Sequence, residues 1–165
     1  MSRTPYFYLE KFNSDSMKWE VYLPYIKNNK GEFKQIDFWP WNGTHDVFNA
    51  FTATFGGGAP SVNGVHTGLP YNVSEEVNSI AESFKEGYTF YWISYADLCC
   101  EALRVPKVEN YEIEYNEDDD GKVITKMVDS PAVVMKKRVD EVLSIMDDWW
   151  VEENRIYYRL VYWIC

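Results

Sequence analysis

The chain has 165 residues, 19.4 kDa and 46% hydrophobic side chains, enough for one domain with its own core, too little for two ordinary domains, and too apolar for disorder through low hydrophobicity. Its 26 acidic and 16 basic side chains give a net charge of −10, the wrong sign for a protein that grips a nucleic-acid backbone. Aromatic residues reach 18%, with 7 Trp and 13 Tyr, more than a core of this size uses, so some rings are expected at a surface that meets a partner.

In chain order, "MSRTPYFYLEKF" lacks the apolar run of a signal peptide, and no stretch approaches the ~20 apolar residues of a membrane span. Tyr6–Phe12, Lys18–Ile26 and Glu32–Phe38 are aromatic and β-branched segments separated by "NSDSM" and "KNNKG", which predicts an antiparallel meander. After "WPWNG" the apolar spacing turns helical, with Val47, Phe51 and Phe55 four apart and Gly56 to Gly58 as the stop. The segment from Gly56 to Val73 is long, Gly-rich and irregular, and such loops in small domains usually carry function. Val77, Ile80, Ala81 and Phe84 then form one helical stripe, opened by Asn72 or Ser74 and closed by Gly87.

"YTFYWI" predicts a strand from Tyr88 to Ile93, and Ser94 with Asp97 predicts a capped helix to about Leu103, before Pro106. Lys107–Tyr115 and Lys122–Val128 read as a hairpin whose "ENYEIEYNEDDD" stretch holds seven acids and ends at Asp120-Gly121. Pro131 suits a first helical turn, and Met135, Val139, Val142, Met146 and Trp149 predict the longest helix, lying across a sheet. In "RIYYRLVYWIC" Ile156, Tyr158, Leu160, Tyr162 and Ile164 share one face at period two, a strand well inside the sheet. The expected fold is therefore α+β over residues 1–165, a single domain in which about four helices pack on one side of a mostly antiparallel sheet.

The candidate site gathers around the loop: Trp39, Trp41, Asn42, His45, Asp46, Asn49, Gly56, Gly57, Gly58, His66, Thr67, Gly68, Leu69 and Tyr71. Rings, a Gly-rich backbone, two helix starts and both histidines of the chain converge there, which suits a ligand or a partner surface. A catalytic His45/His66 pair has no fixed spacing, and structural or surface roles are favoured over it. "FGGGAPSVNG" lacks both the Gly-x-Gly-x-x-Gly pattern and the Lys-Ser/Thr ending of a phosphate loop. Histidines 21 positions apart and an acidic hairpin without calcium-loop alternation predict no metal, and no cofactor is expected. Cys99, Cys100 and Cys165 match neither a zinc pattern nor a disulfide framework, so the chain reads as a reduced cytoplasmic protein whose Cys99 and Cys100 are buried beside Leu98 and Leu103.

The order "THDVFNAFTATF", "TGLPYNVSEEV", "GYTFYWISYADL" resembles a family of small phage and prophage accessory proteins over residues 6 to 103. Asp46 and Phe48 match its helix motif, Gly68, Leu69, Pro70 and Ser74 its turn and helix start, and Trp92 and Leu98 its last segment. Thr67 stands where the family has arginine, and Tyr88–Tyr91 where it has a His-Ser pair, so roles of those family residues do not carry over. The resemblance implies a phage origin and no assigned chemistry. The expected function is a phage-encoded, non-enzymatic binding protein in the host cytoplasm that antagonises a host antiviral factor. It would sequester a small nucleotide or dock on a host protein, without binding nucleic-acid backbone or membrane. The alternatives are a small enzyme using His45 or His66 on a nucleotide or phosphodiester, and a self-assembling structural accessory protein.

Overall fold

The computed structural model describes residues 5–22, 25–27, 30–31, 33–35, 50–52, 61–115, 121–145 and 155–164. The main sheet has five antiparallel strands, β1 (Pro5–Asn13), β2 (Lys18–Val21), β5 (His66–Thr67), β6 (Phe90–Ser94) and β9 (Tyr158–Ile164), in the order β2-β1-β9-β6-β5. Two separate antiparallel hairpins join β3 (Tyr25–Lys27) to β4 (Phe33–Gln35) and β7 (Lys107–Tyr115) to β8 (Gly121–Asp129). The helices are α1 (Glu75–Glu82), α2 (Tyr95–Arg104) and α3 (Pro131–Ile145), with a further helical segment described at Ala50–Thr52. This is the α+β arrangement with a mostly antiparallel sheet that the sequence predicts.

Local chemistry sets the helix starts. The Ser74 hydroxyl accepts from the Val77 N–H at 3.3 Å and Glu75 and Glu76 fill the first turn of α1, so both the orphan donors and the positive end of the helix are matched. Ser94 caps α2 by accepting from the Asp97 N–H at 3.1 Å. Pro131 opens α3 where its missing N–H costs nothing, and Ser130 accepts from the Val133 N–H at 3.2 Å.

Strand alternation divides the core. Toward α2 and α3 the sheet turns Phe7, Leu9, Tyr91, Ile93, Tyr158, Leu160 and Tyr162, which pack with Leu98, Met135, Val139 and Val142. Toward α1 it turns Tyr6, Tyr8, Phe90, Val161 and Trp163, which pack with Val77 and Ala81. Helices therefore cover both faces of the sheet and not one, which corrects the one-sided arrangement expected. Every side chain from Tyr158 to Trp163 is consequently 3% exposed or less. A central strand with two covered faces loses the apolar-polar alternation by which a one-sided sheet is recognised.

Three further expectations are corrected. The first strands do not form one meander: Lys18–Ile26 divides into β2, which pairs with β1, and β3, which among the described residues pairs with β4 alone. Ile156 sits in a 3-10 turn (Arg155–Tyr157) and is exposed, because β9 begins only at Tyr158. Of the adjacent cysteines Cys99 is buried and Cys100 exposed, and Leu103 also points outward, since the buried stripe of α2 runs through Tyr95, Leu98, Cys99 and Ala102 and leaves positions 100 and 103 on the solvent side.

At the root of the β7–β8 hairpin, Asp129 accepts from Lys107 Nζ and Lys137 Nζ, each at 2.6 Å. The Lys107 hydrogen bond, then that of Lys137, holds the carboxyl at about 2, below its ordinary 3.8. A depressed acid stabilises the folded state above its unfolded pKa and loses that contribution as pH falls through its folded one. Asp129→Asn is thus expected to lower stability at neutral pH, to flatten the loss of stability between about pH 4 and pH 2, and to converge with the wild type below that window, read by circular dichroism during acid titration.

Candidate functional site

The described part of the candidate loop, Ser61 to Ser74, is tied down at six places. The Val62 N–H donates to the Ala50 carbonyl at 2.9 Å, and the Asn63 N–H to Glu101 Oε2 at 3.0 Å. Glu101 is itself gripped by Arg104 through Nε and Nη2, both at 2.8 Å, and the Arg104 hydrogen bond holds its pKa below the ordinary range. Gly64, at φ +89°, lies so close to α2 that a Cβ there would stand 2.9 Å from the Asp97 Cβ, so only glycine allows this approach. His66 and Thr67 add the short edge strand β5 against Trp92 and Tyr91, a strand hidden in what reads as irregular sequence, and the Gly68 N–H donates to the Phe90 carbonyl at 2.6 Å.

The last ties are charged. Arg159 of β9 donates from Nε to Glu10 Oε1 at 2.6 Å, from Nη1 to Asn72 Oδ1 at 2.7 Å and from Nη2 to the Asn72 carbonyl at 3.0 Å. Glu10 of β1 uses its other oxygen, Oε2, to accept the Ser74 N–H at 2.8 Å. The pair is interior: Glu10 is 0% and Arg159 3% exposed. Burial pulls the Arg159 pKa below its ordinary value, against the attraction of Glu10. Buried ions need partners for every strong donor and acceptor, and here those partners are the backbone and side chain of the loop.

Flat groups enclose the ion pair. The guanidinium carbon of Arg159 lies 4.0 Å from the centre of the Trp19 ring and 5.7 Å from that of Trp92, within cation–π range. His66 stacks on Trp92 with centroids 4.2 Å apart and planes 16° apart. A row of rings and one cation thus crosses the sheet from β2 to β5, and between its anchors the loop pushes the Tyr71 side chain out, 99% exposed.

Of the residues singled out from sequence, His66, Thr67, Gly68, Leu69 and Tyr71 come together here. His66, Thr67 and Tyr71 are exposed, Gly68 adopts φ +97°, and Leu69 is half-buried against the cluster of Val77, Phe90 and Trp163. Trp39, Trp41, Asn42, His45, Asp46, Asn49, Gly56, Gly57 and Gly58 lie outside the described residues. Sequence reasoning passed over Glu10, Trp19, Asn72, Trp92 and Arg159 as site components. A signal for two of them existed, since one acid within "FYLEKF" and one base within "YYRLVYWI" are opposite charges inside strongly apolar strands, and such charges are buried only in pairs.

Among the described residues there is no cluster of three or more metal-ligating side chains and no helix long and apolar enough to cross a membrane. Comparison with known proteins returns no matching family model, curated protein or solved structure.

Proposed function

We propose that the chain is a non-enzymatic binding protein, a phage accessory factor that antagonises a host protein by docking on it through the His66–Tyr71 segment. The observation that carries this reading is Tyr71, fully exposed on a loop that two buried carboxylates and a buried arginine hold in place. An aromatic ring kept out of the core on a rigid support loses little entropy on binding, which is what interface anchors require. Docking is favoured over capture of a small nucleotide because the cation of this segment, Arg159, is buried and donates to Glu10 and Asn72 rather than outward. Acid–base chemistry gains no support from His66, whose ring lies flat on Trp92. The phage origin rests on the resemblance of Gly68, Leu69, Pro70, Ser74, Trp92 and Leu98 to the family motifs.

The test is capture from host cells followed by titration with the purified partner. Tyr71→Ala is expected to weaken that complex by about 30-fold or more, as loss of a central aromatic anchor does. Its own stability should stay within about 0.5 kcal/mol of the wild type, as at other exposed positions. Equal affinity of the variant would discard the segment as the docking site. A panel of nucleotides and cyclic nucleotides in a thermal-shift assay should leave the melting temperature unmoved, and stabilisation by one of them would favour sequestration instead.

A further inference from the structure

The turn that leads into β5 carries a reactive pair. Asn63 and Gly64 form that turn, and both are exposed. Where glycine follows asparagine, the next main-chain nitrogen reaches the side-chain amide carbon most freely, because glycine has no Cβ to crowd the attack. The structure ties the Asn63 main-chain N–H, which donates to Glu101 Oε2 at 3.0 Å. Among the described residues its side-chain amide makes no hydrogen bond, so nothing there holds the amide away from the Gly64 nitrogen. The chain's other Asn-Gly pair, Asn42-Gly43, lies outside the described residues.

We propose that Asn63 is a site of spontaneous deamidation, and that its conversion loosens the loop from α2. The Gly64 nitrogen attacks Asn63 Cγ, its proton passes to a solvent base, and the side-chain nitrogen leaves as ammonia, closing a cyclic imide. Water then opens the imide, giving aspartate by cleavage at the side-chain carbonyl and isoaspartate by cleavage at the main-chain carbonyl. One water is taken up, one ammonia is released, and nothing is oxidised or reduced. Both products are acids, and isoaspartate also lengthens the main chain by a carbon. The surroundings suit neither change. The acceptor of the Asn63 N–H is itself a carboxylate in a residue 7% exposed, and a Cβ on Gly64 would already stand 2.9 Å from the Asp97 Cβ. Arg104 is the neighbouring cation, and its Nε and Nη2 both donate to Glu101 at 2.8 Å. A new negative charge therefore meets two acids. A longer chain between the Val62 N–H, bonded to the Ala50 carbonyl, and Gly64 shifts these contacts out of register.

The test incubates the folded protein in mildly alkaline buffer made with heavy-oxygen water and maps its peptides by mass spectrometry. The label marks conversion that occurs during incubation, and the map separates position 63 from position 42. Conversion at Asn63 should outpace that at Asn13 and Asn78, each followed by serine, by about tenfold or more. Once most molecules are converted, the amides of Val62 and position 63 should exchange hydrogen at least about tenfold faster than in fresh protein. Asn63→Gln, incubated alike, should keep the exchange of the fresh wild type. Conversion at Asn63 no faster than at the two serine-followed asparagines, or unchanged exchange at Val62 after conversion, would overturn the proposal. So would the same acceleration in Asn63→Gln, which would trace it to another position. None of these measurements involves a binding partner, so failure here and failure of the docking reading are separately visible.

Discussion

Arg159→Met is expected to cost about 3–5 kcal/mol of unfolding free energy, the loss seen when one member of a buried ion pair is removed and the other stays behind. Ion pairs on surfaces are worth about 0–1 kcal/mol, so the size of the loss turns on burial, and the paired side chains are 4% and 0% exposed. Methionine fills much of the space between Trp19 and Trp92 but leaves Glu10 charged in the interior, and it leaves Asn72 without its two donors. The double variant Glu10→Gln, Arg159→Met removes both charges and keeps an acceptor for the Ser74 N–H. It should therefore be more stable than Arg159→Met alone, a coupling that a double-mutant cycle in urea measures directly. A cost below about 1 kcal/mol for Arg159→Met would mean that packing, and not the ion pair, holds the loop.

Trp163→Ala should be comparably damaging, at about 3–5 kcal/mol, because the side chain is fully buried and its removal opens a large void. Tyr6, Tyr8 and Phe90 surround it with ring centroids 5.6, 5.3 and 5.2 Å away. Trp163→Phe separates two contributions. The indole Nε1 is buried with no hydrogen-bond partner among the described residues, a burden of about 1–3 kcal/mol that phenylalanine removes. The smaller ring should therefore cost under about 2 kcal/mol despite the lost volume. If phenylalanine and alanine prove equally destabilising, the orphaned N–H is not the burden its burial implies.

Elements built from local chemistry are readable in the sequence. Ser74 and Ser94 as caps, Pro131 at a first turn, the β7–β8 pairing and the interior place of β9 all follow from spacing and side-chain type within a few residues. What the sequence hides is pairing between distant segments. Nothing local says that Glu10 meets Arg159, or that α1 lies on the face of the sheet opposite α2 and α3. β5 escapes notice because two residues are too few for a period. The candidate site divides the same way: Tyr71 and His66 stand out as aromatic residues in a Gly-rich loop, whereas the clamp beneath them needs contacts between β1, β9 and the loop.

The position of β9 also bears on how the chain acquires its shape. Among the described strands β1 and β6 are not neighbours; each pairs with β9, which joins the β2-β1 half of the sheet to the β6-β5 half. During synthesis β1, β6 and the loop that carries Tyr71 leave the ribosome well before Arg159 and Trp163 exist to receive them. Pairings so far apart in sequence close slowly, and until they close the aromatic faces of β1 and β6 stay uncovered. A nascent chain ending before Tyr158 therefore lacks the Arg159 anchor on Asn72, which the loop gains only with the arrival of the final described strand.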